Sequence, residues 1–181
     1  MFDIFSSTGP VLQRSTAKRV VVYRFDREPV LGFADAFGYL KPDGVEVLLP
    51  NGFLQRIPYS EAKQVSFVKE LDTGRGRPEQ KTFQSRPKVE GLWVEMEFRD
   101  GDVLEGVMPN NLTATDPAGF MVTPPNATGN TQRIFVPRAA LRALTVKAVI
   151  GLRAGRKPKE TGTAAAQQRL FPDDSPATPE L

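Results

Sequence analysis

The chain has 181 residues, 40% of them hydrophobic, and a formal net charge of +3, a size that suits one ordinary domain or two small ones. It contains neither histidine nor cysteine, which excludes disulfides, thiol nucleophiles, Ser-His-Asp triads and zinc sites built on imidazole or thiolate. No apolar run approaches the roughly 20 residues of a membrane helix, and the start lacks a secretory signal pattern, so we expect a cytoplasmic protein without a membrane span or a bound cofactor.

An N-terminal segment, 1–16, precedes a region, 17–72, whose pattern predicts five short strands. Alternation along the first of them places Val21, Tyr23 and Phe25 on its inward face. The Asn-Gly pair at 51–52 is a strong hairpin signal between the third and fourth strands. Ser60 is expected to cap a single helical turn before the fifth strand. The strands are predicted at 20–26, 28–37, 45–50, 53–59 and 64–70.

A second region, 89–150, repeats this order. Gly106 occupies the place in its second strand that Gly32 has in the first region. The tripeptide Gln-Arg-Ile at 55–57 recurs at 132–134, each time before a short turn and an apolar run. The strands of the second region are predicted at 92–98, 103–109, 120–126, 132–136 and 143–150.

Five short strands with a one-turn helix before the last describe a small, partly open barrel. We therefore predict an all-β protein made of two tandem five-stranded barrels, 17–72 and 89–150. Residues 73–88 read as a linker and residues 151–181 as a disordered tail, because both are rich in turn-forming and polar residues. A single ten-stranded sandwich is the alternative.

Three segments resemble an uncharacterised bacterial family of short Sm-like β-barrel domains. They are RFDREPVLGF (24–33), FRDGDVLEGV (98–107) and VSFVKELD (65–72). The second region departs from the pattern because it ends in LTVKAVI instead of FVKEL. The resemblance implies a tandem of Sm-like barrels, and it implies no particular activity.

The positive charge is concentrated in the linker. Residues 17–72 have eight basic and eight acidic side chains, 89–150 have five and seven, and 73–88 have five and one. Nucleic-acid binding needs basic surface and exposed aromatic rings. The candidate nucleic-acid contacts are therefore the arginines of the two Gln-Arg-Ile repeats and of the linker, although solvated arginines on edge strands explain the first pair equally well. These residues are Arg56, Arg133, Arg75 and Arg77.

Three apolar residues are predicted on outward faces. Val20 and Val22 alternate with the inward residues of the first strand, and Trp93 has a similar outward place in the second region. Apolar residues on both faces of a strand indicate that it is covered. We expect these side chains to form an interface between the barrels or between subunits.

Five carboxylates surround one predicted hairpin, but their pattern does not favour catalysis. Glu95 and Glu97 fall on the solvent face of a strand, and Asp100 belongs to an Asp-Gly turn. We therefore predict a non-enzymatic interaction or scaffold module whose protein partner and oligomeric state remain open. The alternative is a nucleic-acid-associated protein that binds weakly through its basic residues.

The tail contains Gln167, Leu170 and Phe171 in the run QQRLF, which resembles the short peptide that binds the DNA sliding clamp. The Leu-Phe pair would be the apolar anchor of a segment that becomes ordered on binding. We expect immobilised clamp to retain the wild-type chain and to lose the Leu170→Ala/Phe171→Ala variant in a pull-down. Equal retention of the two proteins would contradict a clamp-binding role.

Overall fold

The computed structural model describes residues 17–72 and 80–151, and the fold within these ranges is all-β, as predicted. The predicted N-terminal segment, linker residues 73–79 and the predicted tail from residue 152 lie outside the described residues. The described ranges contain two short 3-10 helices, Leu112–Ala114 and Arg138–Ala140. The strands are β1 Ala17–Arg24, β2 Val30–Asp35, β3 Leu40–Lys41, β4 Gly44–Leu48, β5 Leu54–Pro58, β6 Ala62–Val68, β7 Gly91–Phe98, β8 Val103–Met108, β9 Gly119–Val122, β10 Thr131–Pro137 and β11 Leu141–Ile150.

Every strand pairing is antiparallel, and the two halves of the chain have the same strand order. In the first half the order is β6-β1-β2-β4-β5. In the second half β11, β7 and β8 form a sheet, a bridge between Val107 and Thr123 links β8 to β9, and β9 pairs with β10. The sheets are curled into a half-barrel.

The halves are not separate bodies, because β6 of the first half pairs with β10 of the second. Arg133 lies opposite Phe67, and Phe135 lies opposite Val65. This pairing puts strands of both halves into one eight-stranded sheet. The two predicted barrels are therefore joined directly through backbone hydrogen bonds as well as through the linker.

The connection before β6 is a reverse turn, which corrects the predicted helical turn at 60–63. β6 already begins at Ala62, and the Glu61 amide donates to the Pro58 carbonyl over 2.9 Å. The second half has a 3-10 helix, Arg138–Ala140, at the corresponding place. The predicted Asn-Gly hairpin is confirmed, with Gly52 at φ +85° between β4 and β5.

Matching glycines define how the two halves correspond. Gly32 lies opposite Val20 on β1, and Gly106 lies opposite Val94 on β7. In each half a neighbouring strand passes close to the glycine. A Cβ atom on Gly32 would lie 2.5 Å from Val47 of β4, and a Cβ atom on Gly106 would lie 2.9 Å from Val122 of β9. Val20 thus corresponds to Val94.

The same comparison shows that the two Gln-Arg-Ile segments are not equivalent. Gly44 pairs with Pro58 and Gly119 pairs with Pro137, so these prolines correspond. Arg56 lies two residues before its proline, whereas Arg133 lies four residues before its own. The repeated tripeptide is therefore offset by two residues between the halves. An even offset leaves Ile57 and Ile134 buried in both, with 1% and 2% exposure.

Each half has its own apolar core, and the faces of β1 are the reverse of those predicted. Val20 and Val22 are fully buried in the core of the first half. Tyr23 and Phe25 face the second half instead, and Phe25 packs against the second core. Val20 and Val22 are thus core residues and do not form an outer interface. The strand is apolar on both faces because the second half covers the face opposite its own core.

The close approach at Gly32 predicts a stability effect. Alanine there would place its methyl group 2.5 Å from the Leu48 carbonyl oxygen, so we expect Gly32→Ala to lower the unfolding free energy by about 1–3 kcal/mol. Gly38→Ala is the control, since the nearest atom there belongs to the flexible Asp35 carboxylate, and its cost should stay below about 1 kcal/mol. Urea unfolding measures both, and equal midpoints for the two variants would contradict the packing argument.

Candidate functional site

A broad groove opens where β1 begins, β6 ends and β10 begins, so both halves contribute to it. Its volume is about 990 Å³. Among the described residues, its lining combines basic and aromatic side chains and includes no carboxylate. We call this surface the junction groove. It is lined by Ala17, Lys18, Arg19, Phe33, Ala36, Tyr39, Phe67, Val68, Lys69, Met121, Gln132 and Arg133.

Four exposed cations surround the junction groove. Arg19 donates to the Lys69 carbonyl over 2.9 Å, and Lys69 donates to the Thr128 carbonyl over 2.6 Å. These neutral acceptors orient the two cations without cancelling their charge. Within the described ranges, no ion pair involves Arg19, Lys69, Lys18 or Arg133. The groove therefore presents concentrated positive charge, even though each half as a whole is not basic.

Strand alternation explains how these cations reach the groove. Lys18 lies two residues before Val20 and shares its inward face, but at the open end of the half-barrel. Arg133 lies directly opposite Phe67 across the β6–β10 pairing, so its side chain emerges beside that ring. The pairing of the two halves thus brings basic residues from distant parts of the chain to one rim.

Aromatic rings form the floor of the groove. The Tyr39 ring packs edge-on against Phe67 at a centroid distance of 5.4 Å and against Phe135 at 5.9 Å. Burial, followed by the charge of Asp116, raises the pKa of the Tyr39 phenol, so it remains neutral. Phe67 is only partly buried and presents part of its ring to the groove.

A second cluster, centred on Lys63, lies between the halves and is neutralised. The Lys63 ammonium contacts Asp100 and Asp102, the latter at 2.6 Å, and lies 5.1 Å from the Phe98 ring centre and 5.7 Å from that of Phe25. Burial acts to lower the pKa of Lys63, but the hydrogen bonds to the two aspartates outweigh it and raise the pKa. A lysine held in its charged form suits a structural ion pair and does not suit a general base.

The Lys63 cluster borders a smaller cavity of about 240 Å³. Tyr23 and Gln64 line it from the first half, and Leu104 and Ile134 line it from the second. Lys63 and Lys81 in its lining are both paired with Asp102, so the cavity offers less to an anionic ligand than the junction groove does.

Glu105 is a buried carboxylate on β8 that accepts three hydrogen bonds. Its side chain accepts hydrogen bonds from the Lys147 ammonium at 2.5 Å, the Phe83 amide at 2.8 Å and the Trp93 indole at 3.3 Å. Burial acts to raise the pKa of Glu105, but these hydrogen bonds, led by that of Lys147, hold the pKa below its ordinary value. The residue is ionised and fully engaged.

The neighbouring carboxylates are engaged as well. Glu95 pairs with Lys147 at 3.3 Å, and Glu97 pairs with Arg142 at 3.2 Å. Within residues 17–72 and 80–151, no group of three or more carboxylates is arranged to hold a metal ion. The hairpin that carries these acids is cross-linked by ion pairs.

Comparison with known proteins places the chain in a family. The sequence model of a family of unknown function, DUF6982, matches residues 16–148. The chain belongs to this family. The DUF6982 match runs through both halves, which the β6–β10 pairing joins. No curated protein and no solved structure matches the chain.

The two arginines that the repeated tripeptide suggested as nucleic-acid contacts have different surroundings in the structure. Arg56 is paired with Asp43 at 3.3 Å and Glu46 at 3.1 Å, so its charge is compensated. Arg133 lines the junction groove. The linker candidates Arg75 and Arg77 and the tail candidates Gln167, Leu170 and Phe171 lie outside the described residues.

Trp93, which was predicted to lie at an interface, packs against the linker. The Phe83 ring packs edge-on against it at 6.0 Å, and the Lys147 ammonium lies 4.9 Å from the centre of the Trp93 ring system. The described part of the linker, 80–88, thus packs on the second half.

In the part of the chain that the structure describes, no helix is long and apolar enough to cross a membrane.

The buried Glu105 predicts a pH-dependent contribution to stability. Because its folded-state pKa is depressed, its contribution is present above its ordinary pKa of 4.5 and is lost as the pH falls through the depressed value. We expect Glu105→Gln to lower the unfolding free energy at neutral pH by about 1–3 kcal/mol, with a smaller deficit in acid. Denaturant unfolding across this pH range measures the deficit.

The matched control is Glu97→Gln, which removes a carboxylate paired with the exposed Arg142. Its effect at neutral pH should stay below about 1 kcal/mol. A deficit for Glu105→Gln that is constant with pH, or no larger than that of the control, would contradict the assignment.

Proposed function

We propose that this protein is a non-catalytic binding module whose junction groove binds single-stranded nucleic acid. The observation that carries the proposal is the set of four cations, Lys18, Arg19, Lys69 and Arg133, that form no ion pair among the described residues and surround a floor of aromatic side chains. The sequence predicts an interaction module without a named ligand, and we propose single-stranded nucleic acid as that ligand. A cytoplasmic location remains a prediction.

The architecture that we propose for the module is a duplicated Sm-like barrel. The shared strand order and the equivalent close approaches at Gly32 and Gly106 support a duplication. In each half the connection into the last strand is short. It is a reverse turn at 59–61 between β5 and β6, and a 3-10 helix, Arg138–Ala140, between β10 and β11. This arrangement agrees with the small barrels that the sequence resembles.

The chemistry of the groove favours a flexible polyanion. Lysine and arginine side chains neutralise backbone phosphates, and aromatic rings stack with unpaired bases. Phe33 and Phe67 are partly exposed in the groove beside the cations. In a duplex the faces of the bases are stacked on one another, so rings at the floor of a groove favour a single strand.

The non-catalytic part of the proposal is supported by the state of the acids and of Lys63. Glu105 and Asp102 are both held ionised by hydrogen bonds from lysine side chains. The Lys63 ammonium is held charged by two aspartates. Groups fixed in these ion pairs are poorly placed to exchange protons with a substrate.

Fluorescence anisotropy with labelled single-stranded DNA and RNA oligonucleotides at several salt concentrations tests the proposed ligand. Four cations predict a log-log salt slope of about −3 on a single strand, and Arg133→Gln should weaken binding and reduce that slope by about 0.7. Lys69→Gln should behave in the same way. The slope matters because each phosphate contact releases counterions.

Arg27→Gln is the matched control, since it also removes one positive charge but lies outside the groove and pairs with Glu61 at 3.3 Å. It should leave both affinity and slope unchanged. Absence of binding at low salt, or an equal loss in the control and in Arg133→Gln, would overturn the proposal.

A further inference from the structure

The two halves are joined by the pairing of β6 with β10. Each half also contains the strand that corresponds to the other member of this pair, and that strand has an edge without a partner among the described residues. β6 is the last strand of the first half, and β10 is the fourth strand of the second half. The corresponding strands are β11, the last of the second half, and β5, which has the place in the first half that β10 has in the second. Among the described residues, β5 pairs only with β4 and β11 pairs only with β7, so each has one free edge. We propose that β11 of one copy pairs with β5 of a second copy, repeating the internal β6–β10 pairing head to tail.

The correspondence between the halves fixes the register of this contact on the β11 side. Phe67 lies opposite Val20 and Val146 lies opposite Val94, and Val20 corresponds to Val94. Val146 is therefore the counterpart of Phe67.

The prolines fix the register on the β5 side. Arg133 lies four residues before Pro137, and Leu54 lies four residues before Pro58. Because Arg133 faces Phe67 in the internal pairing, Leu54 of one copy would face Val146 of the next.

These two residues are exposed apolar side chains in the single chain. Leu54 is 69% exposed and Val146 is 49% exposed. A register derived only from strand correspondence thus places one unburied apolar residue against another. Cross-strand pairs of this kind stabilise antiparallel sheets, and they remove the apolar area from water.

The charged side chains of β11 itself do not protect its free edge, and near the end of the strand Arg86 donates to the Val149 carbonyl over 3.3 Å. The strand is ten residues long, and proteins commonly guard such edges with charged side chains. Here the Lys147 side chain is held by Glu95 and Glu105, and Arg142 is held by Glu97. These partners lie on β7 and β8, so both cations are drawn across the sheet and away from the free edge.

The proposed contact joins two different edges, so it is heterologous and generates a ring or a filament instead of a closed two-fold dimer. A charged side chain on β5 or on β11 should prevent that edge from pairing and leave the other edge of the same copy intact. We expect the wild-type mass in sedimentation velocity to rise with concentration, and Leu54→Lys and Val146→Lys to be monomeric alone. A mixture of the two variants should form dimers and stop there, because each retains one intact edge.

Phe37→Lys is the control, since this loop residue is 93% exposed and lies on neither edge. It should associate like the wild type. The proposal is overturned if the wild type remains monomeric, if Phe37→Lys associates less in the same way, or if the mixed variants stay monomeric.

Cysteine cross-linking tests the register separately, and the native chain contains no cysteine. Directly opposed residues in a sheet are close enough for a disulfide. Oxidising Leu54→Cys mixed with Val146→Cys should give several-fold more disulfide-linked dimer than Phe37→Cys mixed with Val146→Cys. Equal yields in the two mixtures would overturn the register, and unaltered circular dichroism confirms that each variant is folded.

Discussion

The antiparallel pairing of β6 with β10 is the interaction on which the rest of this structure depends. It adds β9 and β10 of the second half to the sheet of the first half, while each half keeps its own core. Backbone hydrogen bonds alone would be a weak attachment between halves, but here apolar packing accompanies them. Phe135 of the second half lies in the first core, and Phe25 of the first half packs against the second core. Each half therefore completes the other.

This attachment also divides the charged residues into two groups. Charges that face the contact between the halves are neutralised by partners from the other half, as Lys63 is by Asp100 and Asp102. Charges at the rim, such as Lys18 and Arg133, form no ion pair with a carboxylate of the described residues. The first group holds the halves in position, and the second leaves a basic groove above them. A protein whose halves have little net charge of their own can in this way present a strongly positive surface.

The candidate site was only partly predictable from the sequence. Arg133 was identified through its tripeptide, but the tripeptide also pointed to Arg56, whose charge is cancelled by Asp43 and Glu46. Lys18 had a weak signal, since it shares a strand face with Val20. Residues 20–22 are all valine and all buried, so the alternation of apolar and polar residues does not show which face of β1 is inward. Lys69 had no signal, because its place beside Arg133 arises from a pairing between strands far apart in the chain.

The sequence by itself determined the all-β class, the strand positions within a few residues and the Asn-Gly hairpin, because these follow from local alternation and turn chemistry. It also indicated a repeated strand order, because Gly32 and Gly106 occupy equivalent places in the two halves. In each place a neighbouring strand passes too close for a larger side chain. The tertiary structure alone decided that β6 continues into β10, that Glu105 is buried and that Trp93 lies under Phe83. Strand pairing between distant segments depends on the fit of whole surfaces, and local periodicity carries no information about which edge meets which.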